Sequence, residues 1–319
     1  MPISICRANT GKAGIPKKFK NKPLNQKIFV MKKINRREFL EKSTLGLSSA
    51  LILAQLPKQL FASAHAAGMP VGFQSWSVKD LLGKDLAGTL KMMYGLGYTQ
   101  IEMCSPKGYA DIGFGPMAKM KTSDLRQTIA DAGLGCISCH FGFGELGDDK
   151  IDESIEFAKE MGLTQMICST FWLPKTATLS DYQASADKLN QAATKIMKAG
   201  MQTGFHNHEF EFATLDGRLI YDALMEHFDP ELVKMQFQTE VINLGYKAAD
   251  YFKKYPGRFI SSHLSDWTAD KKEVPIGQGI IDWKEFFTTA KTGGVKNIFV
   301  EMSLNNLKDS AANIHRMRV

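Results

Sequence analysis

Two histidines, His206 and His208, stand two residues apart at the end of an apolar segment. That segment, residues 201–205, follows a helical pattern that ends at Gly200, and its composition predicts a β-strand. Because alternate side chains of a strand share a face, we expect both imidazoles to point the same way. Two such imidazoles can ligate one divalent metal ion or share a substrate. Two hydrogen-bonded histidines in a packed loop would give the same pattern.

Further polar residues occupy the ends of other apolar segments, namely Glu102, His140, Gln238, Glu240, His263, Asp266 and Glu301. Each of them alone could cap a helix, start a turn or pair with a lysine. Their shared position at successive strand ends predicts a single site. Oxygen and nitrogen ligands from the last four strands would suit a divalent ion such as Mn²⁺, Mg²⁺, Co²⁺ or Zn²⁺.

The elements that must position these residues alternate strictly between strand and helix from residue 69 onward. The predicted strands are Val71–Ser77, Gln100–Cys104, Cys136–Phe141, Gln165–Ser169, Gln202–His208, Lys234–Glu240, Phe259–Leu264 and Asn297–Met302. Such alternation predicts right-handed crossovers and a parallel sheet. Eight strands in this length favour a closed (β/α)8 TIM barrel, in which all strand ends meet at one mouth. The first strand is not followed by the glycine pattern of a dinucleotide site.

Residues 1–67 have a different character and predict an export signal ahead of a barrel domain, residues 68–319. Arg36 and Arg37, followed by Phe-Leu, resemble a twin-arginine signal, and an apolar run and the small residues 62–67 follow. We therefore expect a periplasmic or secreted protein that uses the twin-arginine export machinery. The apolar run is too short to favour stable membrane insertion after processing, although an uncleaved signal anchor would look similar.

The charge of the chain also divides at this boundary. The whole sequence carries +7, but residues 1–67 hold 13 of its 40 Lys and Arg and 2 of its 33 Asp and Glu. Residues 68–319 therefore hold 27 basic and 31 acidic side chains, a net charge of about −4. This negative net charge does not favour binding to nucleic acid, so no nucleic-acid partner is expected.

Five cysteines are present, and two of them form the sequence Cys136-Ile-Ser-Cys139-His140. This spacing matches a c-type haem attachment motif, and an exported protein could carry one. The motif is short, however, and it lies where a strand should run. We expect buried thiols here, with His140 at a strand tip.

Several segments resemble the sugar phosphate isomerase/epimerase superfamily, whose barrels are similar to xylose isomerase. The segments are His206-Asn-His-Glu-Phe-Glu-Phe212, Tyr255-Pro-Gly-Arg258, His263-Leu-Ser-Asp266, Ile276-Gly-Gln-Gly-Ile-Ile-Asp-Trp283 and Phe299-Val-Glu301. The resemblance spans residues 68–319 and is strongest between residues 204 and 301. It identifies the superfamily but no particular substrate.

The resemblance implies a divalent metal held by His206, Gln238, His263 and Glu301, one from each of strands 5 to 8. It also implies proton abstraction beside a carbonyl of a sugar, through a metal-stabilised enediolate. Strand 5 of the superfamily often carries Glu and strand 6 usually Asp, so His206 and Gln238 depart from the common pattern.

These departures leave three functions open: a sugar isomerase or epimerase, a lyase or dehydratase on keto-sugars or keto-inositols, and a non-catalytic sugar-binding barrel. An abasic-site endonuclease of the same fold would need a basic face. The catalytic candidates are Glu301, His208 and His140. The substrate-contacting candidates are Glu102, Trp76, Trp172 and Glu240, of which Glu240 could also replace Gln238 as a metal ligand.

Overall fold

Eight parallel strands close into a barrel within residues 68–317, the part of the chain that this computed structural model describes. The strands are β1 (Val71–Gln74), β2 (Gln100–Cys104), β3 (Gly135–Phe141), β4 (Gln165–Cys168), β5 (Gln202–His206), β6 (Val233–Gln238), β7 (Phe259–Leu264) and β8 (Asn297–Val300). Each strand pairs with the next along the chain, and β8 pairs with β1. The predicted (β/α)8 TIM barrel is confirmed.

Ten α-helices lie between and after these strands in the described residues. They are α1 (Lys79–Lys84), α2 (Leu86–Gly95), α3 (Gly115–Ala118), α4 (Thr122–Asp131), α5 (Ile151–Met161), α6 (Leu179–Lys198), α7 (Ile220–His227), α8 (Ala248–Lys254), α9 (Trp283–Gly293) and α10 (Leu304–Arg316). The longest, α6, begins with a capping box between Thr178 and Asp181, as expected where a threonine precedes an amphipathic run. Within residues 68–317, no helix combines the length and apolarity needed to cross a bilayer.

Phenylalanines on the outer face of the barrel pack against the helices. Phe141 contacts Phe157 of α5 edge to face, with ring centroids 6.2 Å apart. Phe237 lies among Tyr221 of α7 and Tyr251 of α8, at 5.9 and 5.4 Å. Phe141, Phe237, Tyr221 and Tyr251 are buried and Phe157 is half-buried, so this layer supplies much of the apolar burial that stabilises the fold.

Two glycines let the barrel interior close beneath the site. A Cβ atom at Gly204 of β5 would lie 2.4 Å from the Ile167 side chain, and one at Gly72 of β1 would lie 2.4 Å from the Phe299 ring. Only glycine leaves room for these side chains to fill the barrel axis. The interior below the histidines is therefore packed, and any ligand must enter from the carboxyl ends of the strands.

Strands β5 and β6 end two residues earlier than predicted. β5 stops at His206, because the chain then turns and the His208 backbone N–H donates to the Glu211 carboxylate at 2.7 Å. β6 stops at Gln238, and a 3-10 helix begins at Thr239. His208 therefore lies on a loop at the mouth, and Glu240 lies in this 3-10 helix rather than on a strand.

The four cysteines of the described region are free thiols. Cys136 and Cys139 both lie on β3, and Cys139 is fully buried. Burial raises the pKa of the Cys136 thiol to about 12 and that of Cys139 well above its ordinary value. Cys139 is thus the buried thiol that was expected, whereas Cys136 is half-buried. The predicted export signal, residues 1–67, lies outside the described residues.

Candidate active site

Three imidazoles meet inside the upper end of the barrel. His140 comes from β3, His206 from β5 and His263 from β7, and alternate strands of such a barrel contribute to one interior layer. The rings of His140 and His263 stack at 5.0 Å, and the His206 ring lies 4.9 and 4.4 Å from them. One nitrogen from each of the three lies within 4.8 Å of the others, close enough for a shared metal ion.

A buried carboxylate, Glu102 of β2, lies against this layer of histidines. Its oxygens accept hydrogen bonds from the Gln74 amide at 2.7 Å, the Ser138 hydroxyl at 2.5 Å and the Gln236 amide at 2.9 Å. It also contacts the His263 ring and lies 3.2 Å from Nε2 of His140. Glu102 is completely buried, so the structure places this predicted substrate residue out of reach of the mouth.

Glu301 and Gln238 lie on the other side of His263, toward the mouth. The His263 Nδ1 atom is 2.8 Å from Glu301 Oε2, and the Gln238 amide donates to the same oxygen at 2.8 Å. Three of the four predicted metal ligands are thus in direct contact. The fourth, His206, is the ring that packs 4.4 Å from His263.

Several buried atoms at this point have no hydrogen-bond partner among the described residues. They are both ring nitrogens of His206, Nδ1 of His208 and Oε1 of Gln238. A buried polar atom without a partner costs free energy, and native proteins rarely leave one. Nitrogen and amide-oxygen lone pairs beside a histidine–carboxylate pair are the donor set of a divalent metal, so these residues fit such an ion.

The charges of the site are distributed unevenly. Burial, followed by the neighbouring rings, holds the pKa of His206 well below its ordinary value, and burial lowers that of His208 to about 4. Burial also opposes charge on His263, but Glu102 and Glu301 outweigh it and raise the pKa to about 9. Despite their own burial, Glu102 and Glu301 have lowered pKa values because the histidines stabilise their negative charge. His206 and His208 are therefore neutral at pH 7.

A cavity of about 430 Å³ opens above Gln238 and Glu301. Its walls include the predicted residues Trp76, His208 and Glu240 and two that the sequence did not suggest, Trp267 and Glu273. Burial and the nearby carboxylates of Glu209, Glu301 and Glu273 raise the pKa of Glu240 to about 7. The volume suits a monosaccharide-sized ligand, with an aromatic side chain available for stacking.

Trp172 lies at the rim, outside that cavity. Its side chain is 64% exposed, and its ring is 5.7 Å from His208 and 6.1 Å from Phe210. Its backbone adopts φ 51°, a left-handed conformation that is unfavourable for a large residue. Strain of this kind is common near functional sites.

Sequence reasoning missed the neutral members of the buried network, Gln74, Ser138 and Gln236. The alternation in Met235-Gln-Phe-Gln238 was an available signal, because it places two amides on one face of β6. Asp266, in contrast, does not reach the cavity. Its carboxylate accepts from the backbone N–H groups of Gly277 and Gly279 and from the Trp283 indole, at 2.8–3.0 Å, so it anchors the following loop.

The xylose isomerase-like TIM barrel family matches residues 91–317 of this chain. No curated protein matches the sequence. Among solved structures, a sugar phosphate isomerase/epimerase from Parabacteroides distasonis ATCC 8503 superposes with a TM-score of 0.65 at 22% identity, covering 78% of this chain and 94% of that one.

Two further solved structures share the fold at lower identity. The probable 3-DHS dehydratase AsbF from Bacillus anthracis has a TM-score of 0.60 at 10% identity, covering 78% of this chain and 100% of that one. A xylose isomerase-like TIM barrel protein from Mycobacterium smegmatis, in complex with magnesium, has a TM-score of 0.59 at 14% identity, covering 79% of this chain and 97% of that one.

Proposed function

Because this chain belongs to the xylose isomerase-like TIM barrel family, we propose that it is a metal-dependent isomerase or epimerase of a small sugar. The observation that carries this proposal is the convergence of His206, Gln238, His263 and Glu301 at the floor of the mouth cavity, with unpaired lone pairs on the first two. The reaction is proton abstraction from a carbon beside a carbonyl.

The four residues named above would hold the metal, and His140 offers a further nitrogen within 4.8 Å of its neighbours. The donor set suits Mn²⁺, Mg²⁺, Co²⁺ or Zn²⁺. When bound, the metal supplies the positive charge that stabilises an enediolate. Gln238 gives a dipole where a carboxylate would give a full charge, so the affinity of this site is expected to be modest.

The chain's own residues move the proton. His208 is neutral and lines the cavity, so its imidazole can accept a proton from the substrate carbon. Glu240 faces the same cavity, and its pKa of about 7 lets it exchange a proton near neutral pH. Trp76 offers an aromatic face inside the cavity and Trp172 one at its rim, and Glu301 at the cavity floor can take part as a second carboxylate.

A lyase or dehydratase acting on a keto-sugar or keto-inositol is the second candidate. It is favoured by the asymmetry of the cavity, which presents an imidazole, His208, and the carboxylates Glu240 and Glu301. An epimerase needs matched bases on both faces of a carbon, whereas elimination needs one base and one acid near the leaving group. A non-catalytic sugar-binding barrel remains the alternative if no proton is exchanged.

The test combines metal analysis of the purified protein with a screen of keto-sugars in deuterium oxide. Incorporation of deuterium at the carbon beside the carbonyl, dependent on added Mn²⁺ or Zn²⁺, is the expected result. Recovery of a stereoisomer indicates an isomerase or epimerase, and a dehydrated product indicates the lyase. Metal binding without exchange for any sugar would contradict an enzymatic role.

We also propose that the protein is exported through the twin-arginine route, since Arg36 and Arg37 precede an apolar run and small residues. The Arg36→Lys, Arg37→Lys double variant should stay in the cytoplasm with an unprocessed N-terminus. A processed double variant in the periplasm would contradict the proposal. Single Lys32→Arg substitution is the matched control, because it leaves the pair intact.

A further inference from the structure

The donors and acceptors of the buried hydrogen-bond network around Glu102 can be assigned, starting from one group that can only donate. The backbone N–H of Trp76 donates to Gln74 Oε1 at 3.2 Å, and the Ser75 hydroxyl donates to the same oxygen at 2.8 Å. A backbone N–H can only donate, so this end of the Gln74 amide must be its oxygen. The other end, Nε2, therefore faces Glu102 and donates to it.

The Glu102 carboxylate, which as an anion can only accept, fixes the orientation of Gln236. Its Nε2 atom donates to Glu102 Oε1 at 2.9 Å and to Ser261 Oγ at 2.8 Å. Its oxygen therefore faces His140, whose Nε2 atom is 2.6 Å away. Since an amide oxygen can only accept, His140 must carry a proton on Nε2. The second neighbour of that nitrogen, Glu102 at 3.2 Å, is also an acceptor.

His263 is held by Glu102 directly. Its Nε2 atom contacts Glu102 Oε2, and its Nδ1 atom is 2.8 Å from Glu301 Oε2 at the cavity floor. When the His263 ring is neutral, its single proton lies on Nε2 and is donated to Glu102 as a hydrogen bond. Glu102 lies in the closed interior, whereas Glu301 lies where a cation would bind. The Nδ1 lone pair is then directed toward the mouth.

We propose that Glu102 is a positioning residue that fixes the Nε2–H tautomer of both His140 and His263, leaving Nδ1 as the basic nitrogen of each ring. The part concerning His263 rests on the proposed metal site, whereas the part concerning His140 does not. A carboxylate with no exposed surface is costly to bury, and an apolar side chain would fill the same space at lower cost. Control of two histidine tautomers is a function that an apolar residue could not supply.

Glu102→Gln is the informative substitution, because it replaces one acceptor oxygen with a donor amide at nearly constant volume. If the new amide faces Gln236, that side chain must turn, and its own NH2 group then requires a lone pair on His140 Nε2. If it faces Gln74 and His263 instead, His263 loses its acceptor. At least one of the two rings should therefore leave the Nε2–H form.

The matched control is Glu211→Gln. Glu211 is also completely buried at this end of the barrel, but it accepts from the Thr170 hydroxyl at 2.8 Å and from a backbone N–H. Loss of this carboxylate reports the general cost of removing a buried charge. It should leave the tautomers of His140 and His263 unchanged.

The measurement is two-bond ¹⁵N–¹H correlation spectroscopy of ¹⁵N-histidine-labelled full-length protein, with His140 and His263 assigned through His140→Gln and His263→Gln. In metal-free wild type above pH 8, His140 should show the Nε2–H pattern. With Zn²⁺ bound, His263 should show Nε2–H and a metal-shifted Nδ1. Zn²⁺ affinity by calorimetry should fall about 10- to 100-fold in Glu102→Gln and less than twofold in Glu211→Gln.

Each outcome decides the proposal. An Nδ1–H tautomer for His140 in the wild type overturns it, and this spectrum needs no variant that might fail to fold. Unchanged tautomers and unchanged Zn²⁺ affinity in Glu102→Gln also overturn it. Wild-type protein that binds no Zn²⁺ counts against the proposed function and removes the His263 claim, while the His140 spectrum still tests the rest.

Discussion

On strand β6, Phe237 and Gln236 are neighbours in sequence but lie on opposite sides of the barrel wall. Phe237 is packed among the rings of Tyr221, Tyr251 and other aromatic residues, whereas Gln236 donates to a buried carboxylate. Strands β3 and β5 repeat the arrangement, with Phe141 and Phe205 outside next to His140 and His206 inside. The outer face is apolar and the inner face is polar along the same backbone.

The difference between the two faces shows how the barrel can remain stable with a polar interior. Burying a network of histidines, amides and a carboxylate contributes little net free energy, because desolvation offsets most of the hydrogen bonding. The outer phenylalanines bury large apolar areas against the helices and carry the stability. The inner residues are then free to be selected for chemistry. Substitutions on the two faces should therefore have separable consequences.

Phe237→Ala should have the largest effect on folding. It removes a fully buried ring that touches several others, so we expect the free energy of unfolding to fall by about 3–5 kcal/mol. Denaturant unfolding followed by circular dichroism measures this loss. Phe210→Ala is the control, because that ring is 39% exposed at the rim and should cost about 1 kcal/mol or less. Equal losses in the two variants would contradict the division between the faces.

Glu301→Gln should show the opposite behaviour, with metal affinity lost and the fold retained. We expect metal binding to weaken at least about a hundredfold, roughly 3 kcal/mol, as a charged ligand becomes neutral. The metal-free protein should unfold within about 1 kcal/mol of the wild type, because Glu102 still pairs with His263. Calorimetric titration with Mn²⁺ measures the first quantity and denaturant unfolding the second.

Glu240→Gln makes the same chemical change in the same cavity and serves as the control for Glu301→Gln. If Glu301 is the ligand, Glu240→Gln keeps the metal. A metal-replete Glu301→Gln variant together with a metal-free Glu240→Gln variant would reassign the ligand to Glu240.

Glu211, a buried carboxylate outside the histidine layer, should make the stability of the protein depend on pH. Burial raises its pKa from 4.5 to about 7. A folded-state pKa above the unfolded value means that the stabilisation is complete below about pH 4.5 and is lost as the pH rises through about 7. Relative to Glu211→Gln, the wild type should lose about 3 kcal/mol of unfolding free energy across this window. A difference between the two proteins that does not change with pH would refute the assigned pKa.

Gln238→Asp should produce the smallest change, a gain in metal affinity of about tenfold or about 1.4 kcal/mol, since a full charge replaces a dipole. Turnover need not rise with affinity, because added negative charge weakens the stabilisation of an enediolate. Titration of Mn²⁺ into both proteins decides whether Gln238 touches the metal. Gln238→Asn provides the length-matched control without charge, and equal affinities for Asp and Asn would exclude a charge effect.

Much of the fold followed from local patterns in the sequence. Alternation of apolar runs with helical patterns predicted the barrel, and strand-end positions predicted that His140, His206 and His263 would meet. These features are local or follow from the closure of the barrel, so they can be read without coordinates.

Depth along the barrel axis could not be read in the same way. Glu102 and Glu301 both lie near strand ends in the sequence, yet one is enclosed below the histidines and the other faces the cavity. The difference depends on the stagger of neighbouring strands, such as the pairing of Glu102 with Ser138 across an irregular register. Likewise, the early end of β5 depends on the contact of Glu211 with the His208 backbone, which no local pattern signals.

The buried thiols of the barrel can be used to detect its transient opening. Cys104, Cys139 and Cys168 are buried within β2, β3 and β4, and burial keeps each of them protonated at neutral pH. A thiol-specific reagent can therefore label them only in molecules whose wall has transiently come apart. Pulse-labelling of the three positions, read by mass spectrometry, would show whether this first half of the barrel opens as one cooperative unit or strand by strand.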